Sequence, residues 1–405
     1  MTGARLRIAL VTPMLPVPHD MTRGRYIHET ARCLAKIADV RVFFQTLRYP
    51  NVPGIVPKSY LYGDVPPDYT LDGVDVEAFS YRSLPVLGRP LNGWLASRAL
   101  TPRVARFAPD VLVGYWVYPD GFAAVETARR LGKPCVVGAL GSDIHVRSGS
   151  NAWLTRHTIE RADALVVVSE AMARSAQAQF GAPAERVHTI VNGFNRSVFR
   201  LQDRQQARAA LGLPATGRLV VYVGRFVEAK GLIELLDAFA QLSAEDADVR
   251  LALIGDGVMA AQLPALVRER GLGERVLLPG GMEPLQVARW ISAADLLTLP
   301  SWSEGYPNVV VEALACGTPV VATDVGGTRE ILREGRGLLV PPRDAVALRG
   351  ALAEALRCDW NREAIAASMA RSWDDVAAET LGVCEEVVAR RAAEAPMAAA
   401  RGGSR

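Results

Sequence analysis

Strand-like and helix-like segments alternate along this chain, and the alternation starts twice. A strand pattern at Leu6–Val11 is followed by a helix pattern at Tyr26–Ile37 and a second strand pattern at Val40–Phe44. The series restarts near residue 218. The other strand patterns are Val111–Val113, Cys135–Val137, Ala164–Val168, Leu219–Val223, Arg250–Ile254, Val276–Leu278, Asp295–Leu299 and Pro319–Thr323. Strands that alternate with helices over this length predict an α/β chain with two doubly wound parallel sheets.

The chain is long enough for two domains, each with its own core. We predict a first domain over residues 1–198 and a second over 199–372, because the strand patterns give way to polar residues around Asn192–Leu213. A helix at about 373–391 is expected to pack back on the first domain, and residues 394–405 to form a disordered tail. Ligands of open α/β sheets bind beyond the carboxyl ends of the strands, so two such domains facing each other predict a site in a central cleft.

Composition narrows the class of protein further. Half of the residues are apolar and 35 are glycine, as in packed α/β proteins and unlike disordered chains. The five cysteines are scattered without a C-x-x-C pair, which indicates reduced thiols rather than a disulfide framework or a zinc site. No apolar run approaches the length that spans a bilayer, and the N-terminus enters a strand pattern without a secretory signal. We therefore expect a cytoplasmic protein.

Two glutamates, Glu304 and Glu312, flank a predicted helix start. Their segment, Ser303–Ala313, follows a buried strand pattern, with Pro307 suited to the first helical turn and Gly317 to the helix end. Amides at a helix start have no intrahelical partner and attract phosphate, while ionised carboxylates accept hydrogen bonds from hydroxyls. A helix start that binds a diphosphate, with a carboxylate on each side to accept hydrogen bonds from hydroxyls, fits a nucleotide sugar. In such a ligand a diphosphate lies between two polyols. The alternative is one solvated loop glutamate and one glutamate that interacts only with the helix dipole.

A second candidate is the octet Gly224–Gly231, between the first strand and the first helix of the second half. Arg225 offers a planar fork for phosphate oxygens and Lys230 a mobile point charge. The glycines of the octet let the backbone approach a ligand closely. Two solvated cations are the alternative interpretation. Gly255 and Met282, at the ends of the next two strands, are further candidates for contacts with the nucleotide.

The first half has its own polar groups at predicted strand ends. Asp143 and His145 are candidates to position or deprotonate an acceptor hydroxyl, and a helix cap and a structural histidine are the alternatives. Asp120 lies in a Pro-Asp-Gly turn, a sequence that turn formation alone explains. If its carboxylate faces the cleft, Asp120 is a further candidate for contact with the acceptor. Gly24, between the first strand and the first helix, lets that loop approach the donor phosphates.

Other kinds of phosphate and metal site are absent from the sequence. There is no G-x-x-x-x-G-K-[ST] loop and no G-x-G-x-x-G after the first strand. No cluster of His, Cys and carboxylate residues has metal-ligand spacing. We therefore expect no metal and no resident cofactor, so Arg225, Lys230 and the helix start would neutralise the diphosphate.

The stretch Ser80–Pro109 holds five arginines and no acidic residue, although the whole chain has a net charge of only +3. Leucines and Trp94 are interleaved with these arginines. A basic amphipathic stretch with tryptophan favours an anionic membrane surface, and a solvated helix with ordinary core contacts is the alternative. No nucleic-acid recognition motif is present, so no nucleic-acid partner is expected.

Together these motifs resemble the retaining glycosyltransferases of family 4, which have the GT-B fold: two Rossmann-like doubly wound domains facing a central cleft. The resemblance covers nearly the whole chain and is strongest at Pro300–Gly327 and Gly224–Gly231. Supporting matches are Ser169–Glu170, Val191–Asn195 and Ser372–Trp373. The segments Tyr118–Gly121 and Gly141–Asp143 resemble a branch that builds bacterial surface polysaccharides such as teichuronic acid and exopolysaccharides.

The resemblance implies transfer of a sugar, with retention, from a UDP or GDP type of nucleotide sugar to a hydroxyl of a glycan or lipid-linked glycan. Arg225 and Lys230 would hold the diphosphate. Glu304 would face the donor sugar, Glu312 would hold the ribose hydroxyls, and Gly24 would line the phosphate loop. Backbone contacts to the donor would come from Gly305, Tyr306, Pro307, Asn308 and Val309. A lipid-linked acceptor would suit peripheral attachment to the inner face of the cytoplasmic membrane.

One departure from the family pattern lies in the first domain. Many relatives have a histidine immediately before the Gly-Ser-Asp segment, where this chain has Leu140. The usual first-domain partner of the donor sugar is then missing. Asp143 or His145 would replace it, unless this branch does without such a partner.

Two other functions stay open at the level of the sequence. Non-hydrolysing nucleotide-sugar epimerases share the two-domain architecture, but they do not need the paired glutamates or a basic acceptor-side surface. Binding proteins without catalysis, such as solute receptors, also use a two-domain cleft. Those receptors are exported, however, and this sequence shows no export signal.

Overall fold

The chain forms two compact units. The first unit runs up to Asn192 and takes in the chain again from Trp373, and the second is Gly193–Ser372. The boundary, predicted after residue 198, lies earlier because Phe194 bridges to Ser372 within the second unit. The computed structural model describes residues 5–18, 20, 23–49, 65–84, 88–145, 149–333 and 335–402.

Eight described strands form the sheet of the first unit. They are β1 (Arg7–Thr12), β2 (Asp39–Arg48), β3 (Asp68–Leu71), β4 (Val74–Arg82), β5 (Val111–Tyr115), β6 (Cys135–Ala139), β7 (Ala164–Val167) and β8 (Val187–Thr189). Their order is β3-β4-β2-β1-β5-β6-β7-β8, with β3 antiparallel to β4 and the other neighbours parallel. The inner strands are apolar because helices cover both faces of a parallel sheet.

Helices connect these strands on both faces of the sheet. They are α1 (Arg25–Ile37), α2 (Asn92–Phe107), α3 (Phe122–Leu131), α4 (Ser142–His145), α5 (Gly149–Arg161) and α6 (Glu170–Phe180). Short helical turns lie at Arg89–Leu91, Val117–Gly121 and Ala184–Arg186. The α1 helix buries Ile27, Ala31 and Leu34 against the sheet, which gives it the apolar stripe of a core-facing helix.

Six described strands form the sheet of the second unit, and all neighbours are parallel. They are β9 (Arg218–Val223), β10 (Val249–Ile254), β11 (Val276–Gly280), β12 (Leu296–Leu299), β13 (Val320–Thr323) and β14 (Gly337–Val340). Their order is β11-β10-β9-β12-β13-β14, so the chain leaves β9 in one direction and returns to its other side at β12. Such a switch point opens a crevice beyond the carboxyl ends of β9 and β12.

The helices of the second unit surround a core that includes Tyr222, Phe239 and Leu297. They are α7 (Arg204–Ala210), α8 (Leu232–Glu245), α9 (Leu263–Glu269), α10 (Pro284–Ala293), α11 (Asn308–Ala315), α12 (Thr328–Ile331), α13 (Ala345–Ala355) and α14 (Arg362–Ala367), with a short helical turn at Glu228–Lys230.

The last helix, α15 (Trp373–Gly402), belongs to the first unit. Its residues Trp373, Val376 and Cys384 are buried in the core of that unit, and Asp374 pairs with Lys36 of α1 at 2.6 Å. The sequence predicts a disordered tail from residue 394, whereas the backbone is helical to Gly402 and residues 403–405 lie outside the described part. The alanines there favour helix. Among the described helices, none has both the length and the apolar character needed to cross a bilayer.

Candidate active site

The two motifs of the second unit follow neighbouring strands. Leu296 of β12 pairs with Val220 of β9, and both strands end at the same edge of the sheet. The octet after β9 therefore meets the loop after β12. A backbone hydrogen bond joins them, with Trp302 N donating to Ala229 O at 2.9 Å. Sequence motifs that are far apart along the chain are thus side by side at the switch point.

Glycines allow three loops to pack closely at this edge. Gly231 has φ +68°, and a Cβ on it would lie 2.0 Å from the Pro300 oxygen. Gly326, after β13, has φ +52°, and a Cβ added to it would lie 1.7 Å from the backbone carbonyl oxygen of Glu304. Only glycine takes this conformation without strain at such a distance. The loops after β9, β12 and β13 therefore form one packed surface around Glu304.

Lys230 and Glu304 are in direct contact. The Lys230 Nζ lies 2.5 Å from Glu304 Oε1, and the two side chains are 19% and 11% exposed. A charge-assisted hydrogen bond of this kind is stronger than a neutral one. An ammonium has three N–H donors, so pairing with one carboxylate oxygen leaves two donors for another anion. The structure thus joins two residues that the sequence analysis placed in one site.

Arg225 lies on the same edge with an exposed side chain. Its backbone oxygen accepts a hydrogen bond of 3.0 Å from the buried Tyr222 hydroxyl, which fixes the start of the octet. Burial and then the Glu304 carboxylate raise the pKa of Tyr222, while the Arg225 guanidinium lowers it. The charges of Arg225 and Glu304 are therefore both close to this hydroxyl.

The α11 helix begins next to this group. Pro307 precedes its first residue, Asn308, and has no side chain that could cap the first turn. Gly305 and Pro307 are buried, and burial raises the pKa of the Tyr306 hydroxyl to about 12. Glu312 is half-buried farther along α11. The predicted contacts of this segment with a donor stay predictions, but its helix start lies at the predicted place.

Gly255 and Met282 lie at the ends of β10 and β11, farther from the switch point. Gly255 N donates to Gly280 O at 3.0 Å, which ties the two loops together. Met282 packs in a small apolar cluster beside Ile254. A contact of either residue with a nucleotide stays a prediction.

In the first unit, Asp143 holds a loop together. Its fully buried carboxylate accepts hydrogen bonds from the backbone N–H groups of Leu140 (3.0 and 3.2 Å), Gly141 (2.8 Å) and Val117 (3.3 Å). Burial raises its pKa, and these backbone hydrogen bonds oppose the rise. Both carboxylate oxygens accept hydrogen bonds, so Asp143 stabilises this loop, and its predicted role toward an acceptor hydroxyl stays a prediction.

Asp120 is also buried, at the end of β5, and accepts a hydrogen bond from the Gln45 side-chain amide. Burial raises its pKa to about 7, and the Gln45 hydrogen bond, its own backbone and the Arg23 charge oppose that rise. Gly24 lies immediately before α1 and its oxygen accepts from Ile27 N, so it shapes the start of that helix. The side chain of His145 lies outside the described part of the chain.

The sequence of this chain is similar to those of known glycosyltransferases. Residues 24–198 match the family model described as Glycosyltransferase Family 4, and residues 203–373 match Glycosyl transferases group 1. A Bacillus subtilis (strain 168) protein, assigned to teichuronic acid biosynthesis as the glycosyltransferase TuaC, is 31% identical over 356 residues. The match covers 86% of this chain and 88% of TuaC. This chain belongs to glycosyltransferase family 4.

Solved structures share the fold of this family 4 glycosyltransferase. Sucrose-phosphate synthase from Thermosynechococcus elongatus has a TM-score of 0.76 at 23% identity, covering 95% of this chain and all of that one. HepE from Anabaena, solved in complex with UDP, has a TM-score of 0.70 at 21% identity, covering 93% of this chain and all of HepE. The predicted family and the predicted pair of Rossmann-like domains are confirmed.

The sequence analysis missed one contact that supports the site of this family 4 member. Trp302 Nε1 donates to Glu234 Oε1 of α8 at 2.9 Å, and the Arg343 guanidinium lies 4.1 Å from the centre of the Trp302 ring. Both contacts hold the loop that carries Glu304. The only signal in the sequence is that Trp302 lies beside the Glu304 motif, because its partners come from α8 and the segment after β14.

No group of three or more His, Cys, Asp and Glu side chains that suits a metal ion occurs among the described residues. Arg225 and Lys230 both carry positive charge at the switch point of the second unit.

Proposed function

We propose that this glycosyltransferase transfers a sugar, with retention, from a UDP or GDP sugar to a hydroxyl of a glycan or lipid-linked glycan. The observation that carries the proposal is the Lys230–Glu304 contact at the switch point, beside the start of α11. A cation, a carboxylate and a helix start fit a diphosphate joined to a sugar. HepE, which shares the fold, was solved with UDP, and this supports the donor class.

In this proposal Arg225 and Lys230 bind the diphosphate, and the backbone N–H groups of Gly305, Tyr306, Asn308 and Val309 contact its oxygens. When a diphosphate binds, Lys230 exchanges its Glu304 partner for a phosphate oxygen. Glu304 is then available to accept hydrogen bonds from hydroxyls of the donor sugar, and Glu312 accepts those of the ribose. The ion pair thus places both groups close to the positions that this scheme requires.

The reaction breaks the bond between the anomeric carbon and the diphosphate oxygen and forms one to the acceptor oxygen. The acceptor hydroxyl attacks on the face that the diphosphate leaves, and its proton passes to the departing phosphate. Negative charge develops on the diphosphate, so fixed cations and amides aimed at it should supply the largest share of catalysis. In this scheme no side chain of the first unit is needed as a base.

We further propose that the transfer needs no divalent metal, because Arg225, Lys230 and the α11 start supply the neutralising charge. Turnover that is unchanged by excess EDTA is the expected result. Loss of turnover with EDTA and its recovery with Mg²⁺ or Mn²⁺ would show that the cations of this chain are insufficient.

We propose that the acceptor belongs to a cell-surface polysaccharide, such as an exopolysaccharide, and that the enzyme works as a peripheral protein on the inner face of the cytoplasmic membrane. The likeness to TuaC, which is assigned to teichuronic acid biosynthesis, supports the first part. The distribution of charged and apolar side chains on the first unit, described below, supports the second.

The deciding experiment is a thermal-shift screen of nucleoside diphosphates and their sugars, followed by transfer assays with a panel of acceptors. A donor nucleotide at about 100 times its dissociation constant should stabilise the protein by about 2.7 kcal/mol. Incubation with the donor alone separates a transferase from an epimerase, since an epimerase converts the donor without an acceptor. No shift with any nucleoside diphosphate would contradict the proposal.

A further inference from the structure

Five large apolar side chains are exposed on the described part of the first unit, of which Ile37 lies at the end of α1. The other four, Leu84, Leu91, Trp94 and Trp153, have exposed fractions of 55%, 56%, 40% and 61%. Leu84 follows β4, Leu91 and Trp94 lie at the start of α2, and Trp153 lies on α5. Scattered exposed apolar residues need no explanation, but a contiguous group usually marks an interaction site.

Leu84, Leu91 and Trp94 lie on one folded segment. Gly88 N donates to Leu84 O at 3.0 Å, which holds Leu84 beside the residues that lead into α2. The Ser83 hydroxyl donates to Asn92 Oδ1 at 2.5 Å. The end of β4 is thereby fixed against the segment that carries Leu91 and Trp94.

A row of rings joins Trp153 to that segment. Trp153 stacks on His157 with 5.2 Å between ring centres, and His157 stacks on Phe122 at 5.7 Å. Phe122 in turn packs on Gly93, where an added Cβ would lie 2.6 Å from the Phe122 ring. Gly93 precedes Trp94, and α5 also contacts the Arg89–Leu91 turn, so Trp153 and the exposed residues at the start of α2 lie on neighbouring elements.

Arginines accompany the apolar side chains. Arg89 and Arg98 are both exposed, and the Arg98 guanidinium lies 3.9 Å from the centre of the Trp94 ring. We call the group the arginine–tryptophan surface; it consists of Leu84, Leu91, Trp94, Trp153, Arg89 and Arg98.

A buried acidic side chain lies against part of the basic stretch that the sequence suggested. Arg103 and Arg106, later in α2, lie 3.3 and 3.1 Å from the Glu77 carboxylate of β4. Glu77 is buried, carries one negative charge and also lies 3.9 Å from Arg41, so it offsets only part of the positive charge of Arg103 and Arg106. Among the described ion pairs, this offset is at the far end of α2 and not at the arginines of the arginine–tryptophan surface.

We propose that the arginine–tryptophan surface binds an anionic membrane. Tryptophan and leucine side chains bury apolar area at the headgroup boundary, and arginines pair with anionic headgroups, so this composition fits a charged lipid surface. The inference deepens the peripheral attachment proposed above by naming the residues responsible. It does not depend on the donor chemistry, because none of these residues contributes to the candidate donor site.

Cosedimentation of the full chain with lipid vesicles tests the inference. We expect wild-type protein to bind vesicles of equal parts phosphatidylglycerol and phosphatidylcholine at low salt, and to bind pure phosphatidylcholine or high-salt samples far less. Replacing Trp94 and Trp153 by Ser should lower the partition coefficient at least about tenfold. Replacing Arg89 and Arg98 by Gln should lower it about fivefold for each arginine.

Matched variants separate this surface from general charge and hydrophobicity. R174Q/R186Q removes two exposed arginines elsewhere on the first unit, and L285S/V346S removes two exposed apolar residues of the second. Both should bind vesicles as wild type does. Each variant must keep the melting temperature of wild type, which shows that it is folded. The thermal shift with the donor nucleotide is measured in parallel, so that a failure of the donor proposal is distinguished from a failure of membrane binding.

Three results would overturn the inference. The first is wild-type protein that stays in the supernatant with every vesicle. The second is an equal loss of binding in the test and matched variants. The third is a dimer that W94S/W153S abolishes, without any binding to vesicles, since the surface would then be a protein interface.

Discussion

The sheets of the two units both carry acidic side chains beyond their carboxyl ends, but they use them differently. In the second unit Glu304 contacts the Lys230 ammonium at 2.5 Å, and both side chains keep some exposure. In the first unit Asp143 is fully buried and accepts hydrogen bonds from backbone amides. A carboxylate on a mobile cation can exchange that partner for a ligand, whereas one enclosed by backbone amides fixes a loop. An acidic side chain thus fixes a loop in the first unit, and in our proposal another binds the donor in the second.

Removing the mobile cation should have the largest effect. Lys230→Ala should lower kcat by roughly two to three powers of ten, because one charge-stabilising group is lost from the developing diphosphate anion. Steady-state assays with the donor and acceptor found by the screen measure this. Lys133→Ala in the first unit is the matched control. Near-normal turnover of a folded Lys230→Ala variant would show that the Lys230–Glu304 pair does not act in catalysis, and the proposed functional difference between the two units would be wrong.

The second prediction concerns Asp120, a buried acid of the first unit, which should make the free energy of unfolding depend on pH. Burial raises the pKa of Asp120 from 3.8 to about 7, so the folded state holds an extra proton between these values. Its contribution to the free energy of unfolding is therefore present at low pH and lost as the pH rises through about 7. The difference in the free energy of unfolding between Asp120→Asn and wild type should therefore shift in favour of the variant as the pH rises from about 4 to about 7, by up to about 4 kcal/mol in total. Above about pH 7 this difference should stay constant.

Denaturant unfolding of the full chain at several pH values measures this difference. Asp359→Asn, which changes an exposed acid of the second unit, is the control and should follow wild type throughout. If Asp120→Asn keeps the pH dependence of wild type, the carboxylate of Asp120 is not the buried, proton-holding group described here.

Asp143→Asn tests the structural role directly. Asparagine keeps one acceptor oxygen but turns an NH₂ group toward backbone donors, so the free energy of unfolding should fall by about 1–3 kcal/mol. Turnover of the folded enzyme should change by less than about tenfold. A loss of more than about a hundredfold in kcat with unchanged stability would support the catalytic role that the sequence suggested.

The smallest expected effect concerns the support of Arg225. Tyr222→Phe removes the hydrogen bond from the Tyr222 hydroxyl to the Arg225 oxygen and should cost about 1 kcal/mol of stability, with a higher KM for the donor and little change in kcat. Tyr69→Phe is the control in the first unit, where the Tyr69 hydroxyl has no hydrogen-bond partner among the described residues. Equal effects of the two substitutions would show that the Tyr222 contact does not support the loop.

The positions of Lys230 and Glu304 could be predicted from sequence because each follows an apolar strand pattern. Once the two strands are neighbours, the end of one parallel strand lies beside the end of the next, so the loops must meet. The sequence also located the start of α11 to within one residue, since Pro307 favours the first turn of a helix and directly precedes Asn308.

Tertiary contacts account for what the sequence could not supply. The β4 strand mixes polar and apolar residues and was not recognised, so its Glu77 could not be matched to Arg103 and Arg106 of α2. The amides around Asp143 come partly from Val117, in a separate loop. Nothing in the local sequence of Trp153 indicates that ring contacts place it beside α2.

The most direct test of the donor site is calorimetric titration with the nucleoside diphosphate that the screen selects, compared with its nucleoside. Arg225→Ala and Lys230→Ala should each weaken binding of the diphosphate about tenfold or more and leave binding of the nucleoside unchanged, because charged hydrogen bonds to the phosphates are lost. Unchanged affinity for the diphosphate in both variants would contradict a pyrophosphate site at the switch point of the second unit.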